Sequence, residues 1–202
     1  MARRSDHSRA QLAELVLDAA RTLASADGLR GVTMRSIAGL IGYAPGSIYN
    51  AVGDLDAVLI RLRADTLTRL ADMIEALLSD QPNLAPLPRA LVVADAYLDF
   101  VTSNMRLWSV MFDHRMPETA PLPQSFEQAR ARPIHIVDTT LTPFFPNPAE
   151  RRRATTALWA ALQGVAALTV AKNLTAADET ATPHDIARSL VLRYLSGVEE
   201  SK

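Results

Sequence analysis

Residues 33–52 read T-M-R-S-I-A-G-L-I-G-Y-A-P-G-S-I-Y-N-A-V and leave the backbone few options. Met34, Ile37, Ala38 and Ile41 fall at i, i+3, i+4 and i+7, which is one face of a helix. Thr33 stands just ahead of that face, where its hydroxyl can accept a bond from a free first-turn N–H. Gly42 follows the last periodic residue, a position where a left-handed backbone ends a helix with no Cβ to oppose it. Pro45 suits the first turn of a second helix, because its missing N–H is unused there. Ile48 and Val52 then point back at the first helix, and Ser47, Tyr49 and Asn50 face outward. The stretch is expected to be a helix, a tight turn and a second, shorter helix.

A short helix that turns small and hydrogen-bonding side chains outward has the shape that enters a DNA major groove. Ser and Asn can bond base edges or phosphates, and a Tyr hydroxyl is a good phosphate donor. Periodicity alone fits an ordinary helical hairpin with a solvated face better than a DNA reader, since helix pairs are common.

The order of residues separates the two. Gly31-Val32-Thr33, Ile37-Ala38, Gly42 and Gly46-Ser47-Ile48-Tyr49 resemble the N-terminal domain of the TetR family of transcriptional regulators. The resemblance extends upstream through Leu17-Asp18-Ala19-Ala20 and Asp27-Gly28, and downstream through Asp56-Ala57-Val58-Leu59. It implies double-stranded DNA as a partner, on a roughly palindromic operator. Arg35, Ser47, Tyr49 and Asn50 are expected at the DNA, with Thr33, Pro45 and Gly46 setting the backbone near phosphates. Three positions depart from the family pattern. Ala44 stands where a capping Ser is usual, and losing such a cap costs about 1 kcal/mol. Ala51 stands where a bulkier residue is usual, and Leu55 where a Lys is often aimed at a phosphate. These departures bear on the strength of DNA binding.

The chain has 202 residues, of which 49% are hydrophobic and only 8 are glycine, so it can build real cores and favours helices. No strand-like alternation bounded by hairpin turns occurs. The expected fold is all-α: a three-helix, helix-turn-helix DNA-binding domain over 1–53, then a helical effector-binding and dimerisation domain over 54–202. Net charge is −1, so a nucleic-acid binder of this balance must localise its basic charge. Arg3, Arg4 and Arg9 of the N-terminal arm do so, with Arg30 and Arg35 near the proposed DNA face. Arg3 and Arg4 are assigned to phosphate contact; the plain alternative is a frayed, solvated terminus. Cysteine is absent, which excludes disulfides and thiolate metal sites and fits a reducing compartment. No signal-peptide-like apolar run follows the paired arginines, and the longest apolar stretch, 159–171, is too short to span a bilayer. A cytoplasmic protein with no membrane partner is expected.

Taken in order, a first helix over 8–26 buries Leu12, Leu15, Val16, Ala19, Leu23 and Ala24. A long helix capped by Asp54 runs to 79 and joins the two domains; by resemblance it carries the ligand signal. Three prolines within 81–88 make that stretch a loop. Helices over 89–103 and 104–114 carry the densest aromatic and methionine cluster. Tyr97, Trp108, Met111 and Phe112, with Gln163, are candidate walls of a small-molecule pocket, adaptable through Met; a plain hydrophobic core remains the equal alternative. After a proline-rich break at 116–123, a helix over 124–142 turns Phe126, Ile134, Val137 and Leu141 inward, and Pro133 either kinks or splits it. The last helices, 148–174 and 183–197, complete the chain. W-A-A-L-Q-G at 159–164 resembles a C-terminal signature of one TetR subgroup, where the glutamine position is often histidine. Ala160, Ala161, Gly164, Ala167 and Ala171 allow close helix approach. With Ile186, Leu190, Leu192, Tyr194 and Leu195 they can form half of a homodimer's four-helix bundle. Packing within one monomer is the alternative. Arg151, Arg152 and Arg153 read as a solvated helix face.

His7, His114, His135 and His184 are scattered, with no metal spacing, and no catalytic motif, phosphate-binding loop or dinucleotide fingerprint occurs. No catalytic residue, metal site or cofactor is expected. The chain reads as a ligand-responsive repressor released by a small apolar effector, not an enzyme. The competing class is an all-helical small-molecule-binding protein or enzyme whose helix-turn-helix is only architecture.

Overall fold

A computed structural model describes residues 7–114, 122–174 and 180–199. Among them the chain is all-α, with helices α1 Arg9–Asp27, α2 Met34–Ile41, α3 Pro45–Val52, α4 Leu55–Ser79 and α5 Pro86–Ser103. They continue as α6 Met105–Asp113, α7 Gln124–Thr140, α8 Pro148–Val170 and α9 Pro183–Glu199. A single 3-10 turn, Gly28–Gly31, links α1 to α2.

The chain packs as two compact units. The first takes the described residues of 1–66 and 104–128; the second takes 67–103 and 129–202. The sequence places a boundary after residue 53, at the end of α3. Packing instead carries the first unit into α4 and returns to it with α6. The reason is burial: Val58, Leu59 and Leu62 of α4 and Leu107 and Val110 of α6 complete one core with Leu12, Val16, Ile37, Ile48 and Val52. Arg106 of α6 also donates to the Ala26 carbonyl near the end of α1, where a cation suits both the free carbonyls and the helix dipole.

In the second unit, α5, α8 and α9 enclose a core of Ala90, Ala94, Leu141, Phe144, Ala154, Leu158, Val191 and Leu195. Ion pairs tie its helices. Arg188 of α9 grips Asp95 of α5 at 2.7 Å, Arg151 of α8 meets Asp138 of α7 at 2.9 Å, and Arg132 of α7 spans Asp72 and Glu75 of α4.

Four expectations are corrected here. Pro86 and Pro88 do not lie in a loop but open α5; in a first turn neither needs the N–H that proline lacks. Ile134 is 48% exposed, because the buried stripe of α7 runs Phe126, Ala129, Ile136, Thr140 and turns Ile134 outward. Leu195 is fully buried inside the second unit, so it cannot face a partner. Helix α8 stops at Val170, followed by Lys172 at φ +56°. The helix containing Pro133 is continuous from Gln124 to Thr140.

Candidate nucleic-acid interface and effector site

The α2–turn–α3 unit forms through local hydrogen bonds. Thr33 Oγ1 accepts from the Ser36 N–H at 3.0 Å, and Ser36 Oγ accepts from the Thr33 N–H at 2.9 Å. This reciprocal cap fixes the start of α2. Gly42 ends it at φ +72°, ψ +27°, donating its N–H to the Ala38 carbonyl. Pro45 opens α3, and Ala44 ahead of it supplies no side-chain cap. The Gly53 N–H closes α3 on the Tyr49 carbonyl at 3.0 Å.

The face of α3 divides cleanly. Ile48, Ala51 and Val52 are buried in the first core, with Ile48 wholly inaccessible. Pro45, Gly46, Ser47, Tyr49 and Asn50 are exposed, Tyr49 at 50%. On α2, Arg35 is exposed, as is Thr33 at its cap. Seven of the nine residues assigned to DNA therefore share one exposed helix-turn-helix; Arg3 and Arg4 lie outside the described residues.

Two supports were not legible in the sequence. Arg9 donates Nε to the Ala51 carbonyl at 3.2 Å, placing a cation over the C-terminal turn of α3, where the dipole favours it. His7 Nδ1 lies 2.6 Å from the Tyr43 hydroxyl, which joins the start of the chain to the turn before α3. Both span about forty residues, and no local pattern announces them.

The candidate effector residues fall into two sets. In the second unit, the Tyr97 hydroxyl hydrogen-bonds Gln163 Oε1. Tyr97 is buried, and burial pushes its phenol well above the ordinary tyrosine range, so it stays a neutral donor. In the first unit, Trp108 is buried and meets Phe112 edge-on at 6.3 Å between centroids. Phe112 is 54% exposed and Met111 half-buried. The residues that pair across helices are thus Tyr97 and Gln163, whereas Trp108, Met111 and Phe112 share a single helix.

On α8, Ala160, Gly164 and Ala167 are exposed, opposite the buried Ala154, Leu158, Val165 and Ala166, and Ala171 just past its end is exposed too. A Cβ built on Gly164 would meet nothing within 4 Å. Leu192 and Tyr194 of α9 are also exposed. Among the described residues no group of side chains could hold a metal ion, and no helix is long and apolar enough to cross a membrane.

Comparison with known proteins matches two family models. Residues 16–51 match the bacterial regulatory proteins of the tetR family, and residues 90–194 match the tetracyclin repressor-like C-terminal domain. An uncharacterized HTH-type transcriptional regulator of Bacillus subtilis, YobS, is 28% identical over 91 residues. That match spans 45% of this chain and 46% of the regulator's own length, about half of each. Among solved structures, a Rhodococcus sp. RHA1 protein of unknown function is 18% identical, with a TM-score of 0.77 and coverage of 96% of this chain and 98% of that one. The regulator FadR of Bacillus subtilis, solved with stearoyl-CoA, is 16% identical, with a TM-score of 0.67 over 91% and 98% of the two chains. These structural likenesses extend the shared fold to nearly the whole chain.

Proposed function

The chain belongs to the TetR family of bacterial transcriptional regulators, a non-enzymatic class, and on that premise we propose that it is a cytoplasmic, ligand-responsive repressor acting as a homodimer on a roughly palindromic operator. Two copies of α3 enter successive major grooves about 34–36 Å apart. Ser47, Tyr49 and Asn50 meet base edges and phosphates. Arg35, Thr33, Pro45 and Gly46 lie along the backbone, with Arg3 and Arg4 on adjacent phosphates. The first turn of α3 has no side-chain cap from Ala44 and offers the Gly46 N–H to a phosphate, since Pro45 has no N–H and the Ser47 N–H bonds the Ala44 carbonyl at 3.0 Å.

Subunits pair through α8 and α9, where the open small-residue face allows close approach. The effector is small and apolar and is held in the second unit, with Tyr97 and Gln163 as its polar points; Trp108, Met111 and Phe112 belong to the first unit and are not walls of that site. It acts by favouring a dimer whose recognition helices no longer match the groove spacing; the loss of DNA affinity equals its differential affinity for the two states. FadR, which has this fold, was solved with stearoyl-CoA, so acyl compounds head the list to screen.

The observation that carries the reading is the division of α3: Ile48 inaccessible, its neighbours Tyr49 and Asn50 exposed. A mobility-shift titration on the DNA flanking the chain's own gene tests it. Tight binding that weakens steeply with salt is expected, as is its loss when Tyr49 and Asn50 both become alanine. Binding without sequence preference at low salt, or binding that survives the double change, would leave the helix-turn-helix as architecture only.

A further inference from the structure

Arg63 lies on α4 within the first unit, and its surroundings differ from those of the other inward-turned arginines. Arg21 has Asp65 at 2.9 Å and Asp18 at 2.7 Å, and Arg151 has Asp138 at 2.9 Å. Arg63 has no carboxylate partner among the described residues. Its guanidinium stacks 5.5 Å from the centroid of the Phe126 ring. Its Nη1 reaches the His114 carbonyl only at 3.5 Å, and its Nε is shut away from solvent with no partner. Burial without a counter-charge pulls its pKa down. A charge in this state is costly, and proteins normally pair it.

The residue that receives Arg63 carries a second vacant nitrogen. The side chain of His114 is 8% exposed, and its Nε2 is 3.0 Å from Asp56 Oδ1. Its Nδ1 is buried and bonds nothing.

We propose that Arg63, stacked on Phe126, forms a receptor for the carboxylate of an organic acid. The Nε edge of a guanidinium, with its neighbouring Nη, is a fork that matches the two oxygens of one carboxylate. Phe126 gives the acid's carbon body an apolar surface. The bound anion neutralises the guanidinium and reaches, through His114 and Asp56, the first turn of α4 that follows the recognition helix. The site lies wholly in the first unit and does not depend on Tyr97 or Gln163.

Thermal melting of the full chain tests this, at constant ionic strength in chloride. Hexanoate and decanoate are each compared with the matching alcohol, and inorganic phosphate is run beside them. Each carboxylate should raise the wild-type midpoint more than its alcohol does, by on the order of 5 °C at about a hundred times the dissociation constant. Arg63→Met should lose that excess and keep the alcohol response. Without any organic anion, Arg63→Met should melt no lower than wild type, since it removes a half-buried guanidinium that no carboxylate pairs and keeps the packing volume. Arg63→Lys, which keeps the charge but not the fork, should retain only part of the excess. The proposal is overturned if acid and alcohol act alike on wild type, if Arg63→Met keeps the acid response, or if it melts several degrees lower in chloride alone. Phosphate matching the carboxylates would overturn the organic acid as ligand.

Discussion

Ile48 and Tyr49 are neighbours on α3 whose replacement by alanine should fail in opposite ways. Ile48 is fully buried among Leu12, Val16, Ile37 and Val52. Truncating a buried Ile to Ala loses transfer free energy and leaves a cavity, together about 2–5 kcal/mol. With a urea slope of about 1–3 kcal/mol per molar for a small unit, the midpoint should fall by about 1 M or more. Tyr49 is half exposed and outside that core, so its alanine variant should stay within about 0.5 kcal/mol of wild type. Its effect belongs to DNA. A lost contact of about 1 kcal/mol occurs twice in a dimer, and about 2 kcal/mol is roughly a thirtyfold loss of affinity. Urea melts followed by circular dichroism, beside mobility-shift titrations of the refolded variants, give both numbers. A Tyr49→Ala midpoint as low as that of Ile48→Ala, with DNA affinity unchanged, would refute the assignment of outward and inward faces.

Four further outcomes follow from local geometry. Gly53 adopts φ +88°, ψ −150°, with Ala57 Cβ 3.4 Å from where its own Cβ would be, so Gly53→Ala should cost about 1–3 kcal/mol in a denaturant melt. Gly42 sits in the ordinary left-handed region with open space around it, so Gly42→Asn should cost less than about 1 kcal/mol in the same assay. Tyr97→Phe should cost about 1 kcal/mol, because it removes one buried hydrogen bond while half-buried Gln163 can turn to water; it should also weaken effector-induced release from DNA. The Asp185 carboxylate accepts from the Thr182 hydroxyl at 2.6 Å and from its N–H at 3.0 Å, bonds that hold its pKa below the usual carboxylate value. Its stabilising contribution is therefore present above the unfolded value of about 3.9 and lost as pH falls through the folded one; Asp185→Asn should lower the melting midpoint at pH 7 and match wild type near pH 2.

The helix-turn-helix was legible because its signals are local. Thr33, Gly42 and Pro45 each act on their own turn of backbone, and the period of Met34, Ile37 and Ala38 needs no distant partner. The return of α6 to the first core was not legible. Leu107 and Val110 satisfy a helical period wherever α6 packs, and nothing in residues 105–113 names α1 as the neighbour. Prolines 86 and 88 misled for a related reason. The sequence shows a ring without an N–H but not whether the helix already has a preceding turn. Ile134 is bulky but stands at the wrong angle for burial: counted from Phe126, the inward positions fall at Ala129, Ile136 and Thr140. Tyr97 and Gln163 were both singled out, but their hydrogen bond across 66 residues belongs to tertiary structure.

A chain of net charge −1 is a poor polycation, yet the number that matters to a DNA backbone is how charge is spent locally. Six of the 22 acidic residues are tied to arginines that brace helices: Asp18 and Asp65 to Arg21, Asp72 and Glu75 to Arg132, Asp95 to Arg188, Asp138 to Arg151. Such pairs are nearly neutral at a distance, and at physiological salt their fields fade within about 8 Å. Arg35, on the exposed side of α2, enters no ion pair among the described residues, nor does Arg30 just ahead of it. The potential that a phosphate meets at the helix-turn-helix is therefore set by these few free cations and the open end of α3. The acidic excess elsewhere opposes non-specific binding more than it opposes a correctly seated operator, which favours selectivity over raw affinity.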